Sequence, residues 1–315
     1  MASANSITLL DIVKANGSDG ITGLVDETIR ATPEVMYGAA RTIKGLNYKT
    51  FIRTGLGTAA FRDGNSGSSI IKATYENKLV ECFFLNPRIQ ADKMVADTYE
   101  DGAEAYLAME SSAVMNSSLQ RLGKQFYYGR GTSIAPSGYN DTKGFPGLID
   151  FVNTSLVLDA GGTTATTGSS VWFVAFRNNM VNWVYGENGQ MVMTPTRLQD
   201  LYDASNNPYT GYVAELLAHP GLQCLNTYSV VRIKNVTADS GKTLTDALLG
   251  KALALLPAAF RPMITDIFMA PRSAEQLRAS RTAVNPTGAP APTPTDFEQI
   301  PIRITDSIAI TETLN

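Results

Sequence analysis

The stretch of this 315-residue chain most suggestive of chemistry is Val231-Arg232-Ile233-Lys234-Asn235-Val236-Thr237-Ala238-Asp239-Ser240-Gly241-Lys242-Thr243. An apolar strand pattern runs into Gly-Lys-Thr and then into a helix pattern, the order used by phosphate-binding loops. Such a loop needs a glycine five residues before Gly241, so that backbone amides can turn inward on the phosphates. That position is Val236, and no later strand ends in a convincing magnesium-binding aspartate; Ile264-Thr265-Asp266 is a poor substitute. Nucleotide hydrolysis through Gly241-Lys242-Thr243 is therefore the weaker alternative, and a polar loop capping a helix the plainer one. His219 is the single histidine, with Cys224 five residues on. A nucleophile and its base need hydrogen-bond reach and an orienting third group, so this pair reads as a turn histidine beside a buried cysteine. One histidine also excludes a histidine-rich metal site, and carboxylate pairs such as Glu100-Asp101 read as solvated helix charges. No catalytic, cofactor-binding or metal-ligating residue is assigned, and a chain this long without catalytic apparatus points to a mechanical task.

Composition agrees. The chain is 44% hydrophobic and 17% charged, which suits one large or two ordinary globular domains. Twenty-six basic against 29 acidic residues give a net charge of -3, with no basic block, so avid DNA binding is disfavoured although non-specific contact is not. Cys82 and Cys224 are too few for a disulfide framework and fit a reducing cytosol. No apolar run approaches the ~20 residues of a membrane span, and Met1 to Leu10 has no positively charged leader, so no membrane partner is expected.

The elements follow from periodicity. Val95 to Tyr128 carries apolar residues at steps of three and four, including Tyr99, Ala103, Tyr106, Leu119, Leu122 and Phe126, and predicts one rod-like helix ended by Gly129. Ile7 to Lys14 and Ile21 to Ala31 predict short helices, the second closed by Pro33, and too short to be stable alone. Lys49 to Thr54, Ile70 to Tyr75 and Lys78 to Leu85 predict strands around a glycine- and serine-rich stretch, with a turn at Glu76-Asn77. This ribbon buries little of itself and must lean on a neighbour. Asn86-Pro87 predicts a helix start.

Beyond a loop, a second body opens near Leu148. Strands are expected at Leu148 to Val152, Val171 to Phe176, Met180 to Tyr185 and Ser229 to Val236, with a flexible Gly161-to-Ser170 connection. Helices are expected from Thr194 or Thr196, near Thr243, and from Ser273 with Gln276 completing a capping box. Asn285 to Pro294 is an extended spacer, and Ile300 to Ile304 and Ser307 to Thr311 predict strands that return to an earlier sheet.

Taken together these segments resemble the major capsid proteins of tailed double-stranded DNA phages, in the short form without an N-terminal scaffolding extension. The similarity is carried by Arg53-Thr54-Gly55-Leu56 with Phe61-Arg62-Asp63-Gly64-Asn65-Ser66-Gly67, by Gln125-Phe126-Tyr127-Tyr128-Gly129, and by Gly144-Phe145-Pro146-Gly147-Leu148. Later blocks are Ser229 to Val236, Ile267-Phe268-Met269-Ala270-Pro271-Arg272-Ser273 and Phe297 to Ile308. Gln299 stands where that family often has glycine, and Ala270 where asparagine is common.

The resemblance implies an α+β, Hong Kong 97-like capsid fold. Its parts would be an N-arm (1–46), an extended hairpin loop (47–85), a peripheral domain with a spine helix (86–143) and an axial domain with possible return segments to the peripheral one (144–283). A Pro-rich loop (284–296) and C-terminal strands (297–315) complete it. It also implies pentamers and hexamers closing into an icosahedral shell in the host cytoplasm, a scaffolding protein, a portal, a possible decoration protein and non-specific contact with packaged DNA. Arm and hairpin would reach adjacent subunits, with Arg53, Arg62, Asp63, Lys72, Glu76 and Lys78 as intersubunit contacts. Some relatives crosslink a hairpin lysine to a neighbour; nothing marks Lys49, Lys72 or Lys78 as reactive, so no crosslink is expected. A tail-fibre-like adhesive module would show heptads or repeats, and neither is present.

Overall fold

The computed structural model describes residues 7–16, 26–131, 133–189, 191–286 and 288–315. The first half contains α1 (Leu9–Ala15), α2 (Pro33–Tyr37), β1 (Ala40–Thr42), β2 (Asn47–Gly55), β3 (Thr74–Glu81), β4 (Arg88–Asp92), α3 (Lys93–Ala96), α4 (Ala103–Tyr128) and α5 (Leu148–Phe151). Strands β5 (Val157–Asp159), β6 (Ser169–Val174), β7 (Val181–Tyr185), β8 (Met191–Met193), β9 (Arg197–Tyr202), β10 (Pro208–Ala218), β11 (Pro220–Cys224) and β12 (Val230–Val236) follow. The chain closes with α6 (Asp246–Ala254), β13 (Asp266–Met269), α7 (Pro271–Val284), β14 (Asp296–Phe297) and β15 (Ile300–Ile304).

The centre is a six-stranded sheet ordered β14-β15-β13-β6-β12-β5. Its middle strand, β6, is buried along its whole length. Alternation divides its side chains between two cores, as the two-residue strand period requires. Val171 and Phe173 join Val231, Ile233, Ile267 and Met269 beneath α6 and α7. Trp172 and Val174 face the other way, onto the aromatic end of α4. The last strand, β15, lies parallel to β13, so the sheet is completed by residues distant in sequence, as expected. Strands β14 and β15 are joined by Glu298-Gln299, both at positive φ (47° and 67°), the geometry of a tight two-residue hairpin turn. Gln299 thus takes the left-handed conformation that glycine adopts without steric cost.

A second sheet, β4-β10-β8 with β9 on β10, packs Ile89 and Ala91 on Ala96 and Leu107. Strands β8 to β10 therefore return from the body opened near Leu148 to cover the first half of α4.

Several local expectations are corrected. The rod starts at Ala103, because Gly102 sits at φ 88° as its N-cap, and a separate turn of helix precedes it at Lys93–Ala96. Asn86-Pro87 leads into a strand, and the helix cap is Asp92, whose carboxylate accepts the Met94 amide at 2.9 Å. Pro33 opens a helix as its first residue instead of closing one; 26–31 is irregular, and Ile21 to Val25 lies outside the described residues. Strand β3 runs straight through Glu76-Asn77, where the ladder to β2 outweighs the local turn preference. Leu148 to Phe151 is a helical turn with Asp150 Oδ2 accepting the Gly147 amide. Arg197–Tyr202 is a strand, since pairing with β10 overrides a helical spacing. Helix α7 begins at Pro271, and Gln276 reaches Leu244 N and Thr237 O instead of closing a capping box. Residues 307–311 are bends and irregular chain, because the side chains of Glu34, Tyr128, Ser169 and Arg272 hold the Ser307 hydroxyl, the Ala309 amide and carbonyl and the Ile310 carbonyl. The Gly161-to-Ser170 connection is pinned: Asp239 accepts the Thr163 and Thr164 amides and the Thr164 hydroxyl, and Ser169 and Ser170 belong to β6.

Candidate functional site

Strands β2 and β3 form a two-stranded ribbon whose register runs from Asn47↔Glu81 to Gly55↔Thr74, with residues 56–73 forming the tip. Its root is fixed. Val80 and Cys82 are buried with Val184, and the Tyr48 hydroxyl donates to Gln223 Oε1 under the Arg41 guanidinium, 4.6 Å from the Tyr48 ring centre. Burial pushes the Cys82 thiol up to about 11, so it stays an inert core thiol. Beyond the root the ribbon is mostly exposed, with an open cleft between residues 50–54 and Asn226, Tyr228 and Phe260. Phe61 and Ile70 are essentially fully solvent-accessible at 108% and 99%, and Phe51, Leu56, Ile71, Tyr75 and Leu79 are exposed with them. Among the described residues the ring-on-ring contact of the ribbon is internal, Phe51 stacked on Tyr75 at 4.7 Å.

The hairpin residues expected to make contacts are spread along this ribbon and do not converge on a centre. Arg53, Lys72 and Glu76 are exposed. Arg62 Nη1 donates to Ser66 O at 2.7 Å, and the Asp63 carbonyl accepts the Ser66 hydroxyl, so these two shape the tip turn. Lys78 lies at the root, its ammonium 5.2 Å from the Phe151 ring centre.

The arm is laid along its own α4. Asn16 donates to Thr98 O and accepts the Glu100 amide, Gln120 donates to Thr28 O at 2.8 Å, and Asp306 exchanges hydrogen bonds with Ala31. The arm ends in a buried peg. Glu34 has no solvent exposure, and its carboxylate accepts Ser307 Oγ at 2.5 Å, Thr305 Oγ1 at 2.9 Å and Tyr127 OH at 3.3 Å. Burial raises its pKa, and the three hydroxyls pull partly back. The peg fits because Gly123 faces it: a Cβ there would collide with Glu34 Oε1 and Ser307 Oγ. Next along α4, Tyr128 donates to Glu312 Oε1 at 2.6 Å, and Glu312 is paired with buried Arg232 at 3.3 Å. Two adjacent tyrosines thus hold carboxylates from opposite ends of the chain. While its polar groups are satisfied in this way, α1 leaves Leu9, Leu10 and Val13 exposed.

The chemical motifs are structural. The Thr237 amide donates to Lys242 O and the Lys242 amide to Asp239 O, so the loop before α6 is closed on itself, and α6 starts only at Asp246 with Thr245 as its cap. His219 Nδ1 is 3.8 Å from Glu187 Oε2 and its ring packs edge-on to Phe84, whereas Cys224 Sγ meets Ser229 Oγ at 3.2 Å. Among the described residues no cluster of three metal-ligating side chains forms, and no helix is long and apolar enough to cross a membrane.

The model of the family "Major capsid protein GP7" matches residues 19–314. This chain belongs to that family of phage major capsid proteins. As a capsid protein it is a structural component and not an enzyme, and the Gly241-Lys242-Thr243 alternative has no support. No curated protein matches the sequence. Among solved structures, that of bacteriophage Epsilon15 is similar over 99% of this chain and 98% of its own, at 19% identity and TM-score 0.73. The bacteriophage JBD30 capsid covers 94% of this chain and 97% of its own at 9% identity and TM-score 0.49. The family match together with the Epsilon15 structure gives this capsid protein the Hong Kong 97-like fold, and it forms part of a multi-subunit phage shell.

What the sequence did not reveal is the long-range polar anchoring. Glu34, Thr305 and Ser307 lie far apart in the chain and show no local pattern. The only local hint is Gly123, inside an otherwise unbroken helix.

Proposed function

We propose that copies of this chain assemble into pentamers and hexamers of an icosahedral shell, with the β2–β3 hairpin and the outer face of α1 lying on adjacent subunits. The observation that carries this is a ribbon with Phe61 and Ile70 fully exposed at its tip, covered by none of the described residues. Rings of this kind use heterologous contacts, one patch meeting a different patch on the next copy. Arg53, Arg62, Asp63, Lys72 and Glu76 are the polar contacts along the hairpin, whereas Lys78 is held at the root.

The spine helix with β4 and β8–β10 forms the peripheral domain, so the return segment is 191–218. The six-stranded sheet with α6 and α7 forms the axial domain. Because the Asp239 loop is pinned, accommodation between fivefold and sixfold settings falls to the hairpin tip. Scaffolding protein, portal and a decoration protein are the partners, packaged DNA is met non-specifically, and assembly takes place in the host cytoplasm.

The double variant Phe61→Asp, Ile70→Asp tests the reading. Folded subunits that sediment slowly and form no shells by electron microscopy are expected; shells of normal size and yield would refute the hairpin's role.

A further inference from the structure

Among the features that the hairpin and the arm's docking contacts leave unused is a cleft of ≈ 550 Å³ between the arm, α4 and the start of α7. Three cations line it, Arg30 from the arm, Lys124 from α4 and Arg272 from α7. The Lys124 ammonium sits 4.8 Å from the Tyr139 ring centre, and no carboxylate pairs with it among the described residues. Burial lowers its pKa, and the charges of Arg121 and Arg30 lower it further, so three cations lie within electrostatic reach of one another here. Arg272 is held by the carbonyls of Ile310, Thr167 and Val236, and its Nε has no partner among the described residues. Two carboxylates share the cleft. Asp306 accepts the Ala31 amide and keeps its negative charge, and Glu27 is exposed, its carboxylate paired with none of the three cations while its main-chain oxygen and that of Ile29 accept Arg30 Nη1.

We propose that this cleft binds phosphate oxygens of a nucleic-acid backbone, with Arg30, Lys124 and Arg272 as its charged contacts. Planar guanidinium groups and a point-charge ammonium are the donor set that suits phosphate, and they read no base sequence. The inference rests on the reading that the shell encloses DNA. The chain's net charge of -3 keeps its overall attraction to a duplex low, so a basic cleft on each subunit gives weak, sequence-independent anchoring points.

The test is fluorescence anisotropy of a 20-base-pair duplex of arbitrary sequence with the purified chain, across a salt series. The double variant Arg30→Gln, Lys124→Gln is expected to bind at least tenfold more weakly. Its log–log salt slope should be shallower by nearly 2, since each lost phosphate contact removes about 0.9. Lys251→Gln, exposed on α6 and away from the cleft, loses charge elsewhere and should stay within about twofold of the parent. Equal loss in both variants, or no loss in the double variant, would overturn the assignment. So would tighter binding of polyglutamate than of duplex, which would point to carboxylates of another copy. Arg30→Gln alone, at an exposed position, keeps the test valid if the double variant unfolds. The duplex titration and the shell assay of the hairpin variant fail independently, so loss of one reading does not mask the other.

Discussion

Strands β6 and β3 are ladders of similar kind with opposite surroundings. Every residue of β6 is buried between two helical and aromatic layers, whereas in β3 only Val80, near the root, is. Backbone hydrogen bonding is common to both, so it does not set the difference. What differs is apolar area removed from water, at roughly 25 cal/mol per Å². The central sheet obtains that burial from its own chain. In the proposed assembly the hairpin, with Phe61 and Ile70 at its tip, obtains it from another copy. Local stability within a subunit and stability of the assembled wall are thus held in different regions of one polypeptide.

The sharpest test of this division on the buried side is Phe126→Ala. Phe126 contacts the rings of Trp183, Phe176 and Phe268, and its removal should cost about 3–5 kcal/mol in chemical denaturation. A loss under about 1 kcal/mol would mean that the aromatic layer is not the core of the subunit.

Next comes the arm's peg. Glu34→Ala leaves three buried hydroxyls without their acceptor and should cost about 1–3 kcal/mol. Because burial raises the Glu34 pKa in the folded state, its contribution is fully present below the unfolded carboxyl value. It fades as pH rises through the raised one. Glu34→Gln, neutral at every pH, should flatten that dependence, as amide exchange in residues 26–39 measured between pH 4 and 8 would show. An unchanged pH profile in Glu34→Gln would place the titration elsewhere.

Smaller and local is Asp239→Asn. Hydrogen bonds from Thr164, Thr163 and Thr237 hold the Asp239 carboxyl far below the usual range. Its clamp should therefore persist at mild acidity and fail only as pH falls through that lowered value. The variant should speed exchange of the 163–164 amides with little change elsewhere. The smallest effect on the subunit is expected from Phe61→Ser at the hairpin tip, within about 0.5 kcal/mol of the parent in denaturation, since it buries nothing there. Its effect on shell yield should nonetheless be large. That inversion of rank is what the comparison with β6 requires.

How much of this was legible in the sequence followed the same division. Val171 to Val174 is a continuous apolar run as a strand buried on both faces requires, Val231 to Lys234 alternates, and the aromatic end of α4 repeats at helical spacing, so the core elements were readable. The sheet around β10 was not. Arg197–Tyr202 has leucines and tyrosine at spacing compatible with a helix, and only its pairing partner decides for strand. The turn cluster Ala204-Ser205-Asn206-Asn207-Pro208 was the available signal for that hairpin. Gly102 misled by sitting at the junction of two patterns that continue one another; its positive φ separates them. The hairpin was recognisable by what it lacked, since its glycine- and serine-rich tip has no apolar period to bury. The Glu34 and Arg232–Glu312 anchors were invisible, because each is assembled from residues more than 75 positions apart.

The central claim is that the hairpin gains its protection from neighbouring copies. Hydrogen–deuterium exchange on the dispersed chain and on assembled shells measures this directly. Amides of the hairpin beyond its fixed root, 51–76, should exchange quickly when dispersed and slow markedly in shells, while β6, β12 and β13 are equally protected in both. Hairpin amides already protected in the dispersed chain, or still fast in closed shells, would contradict the account.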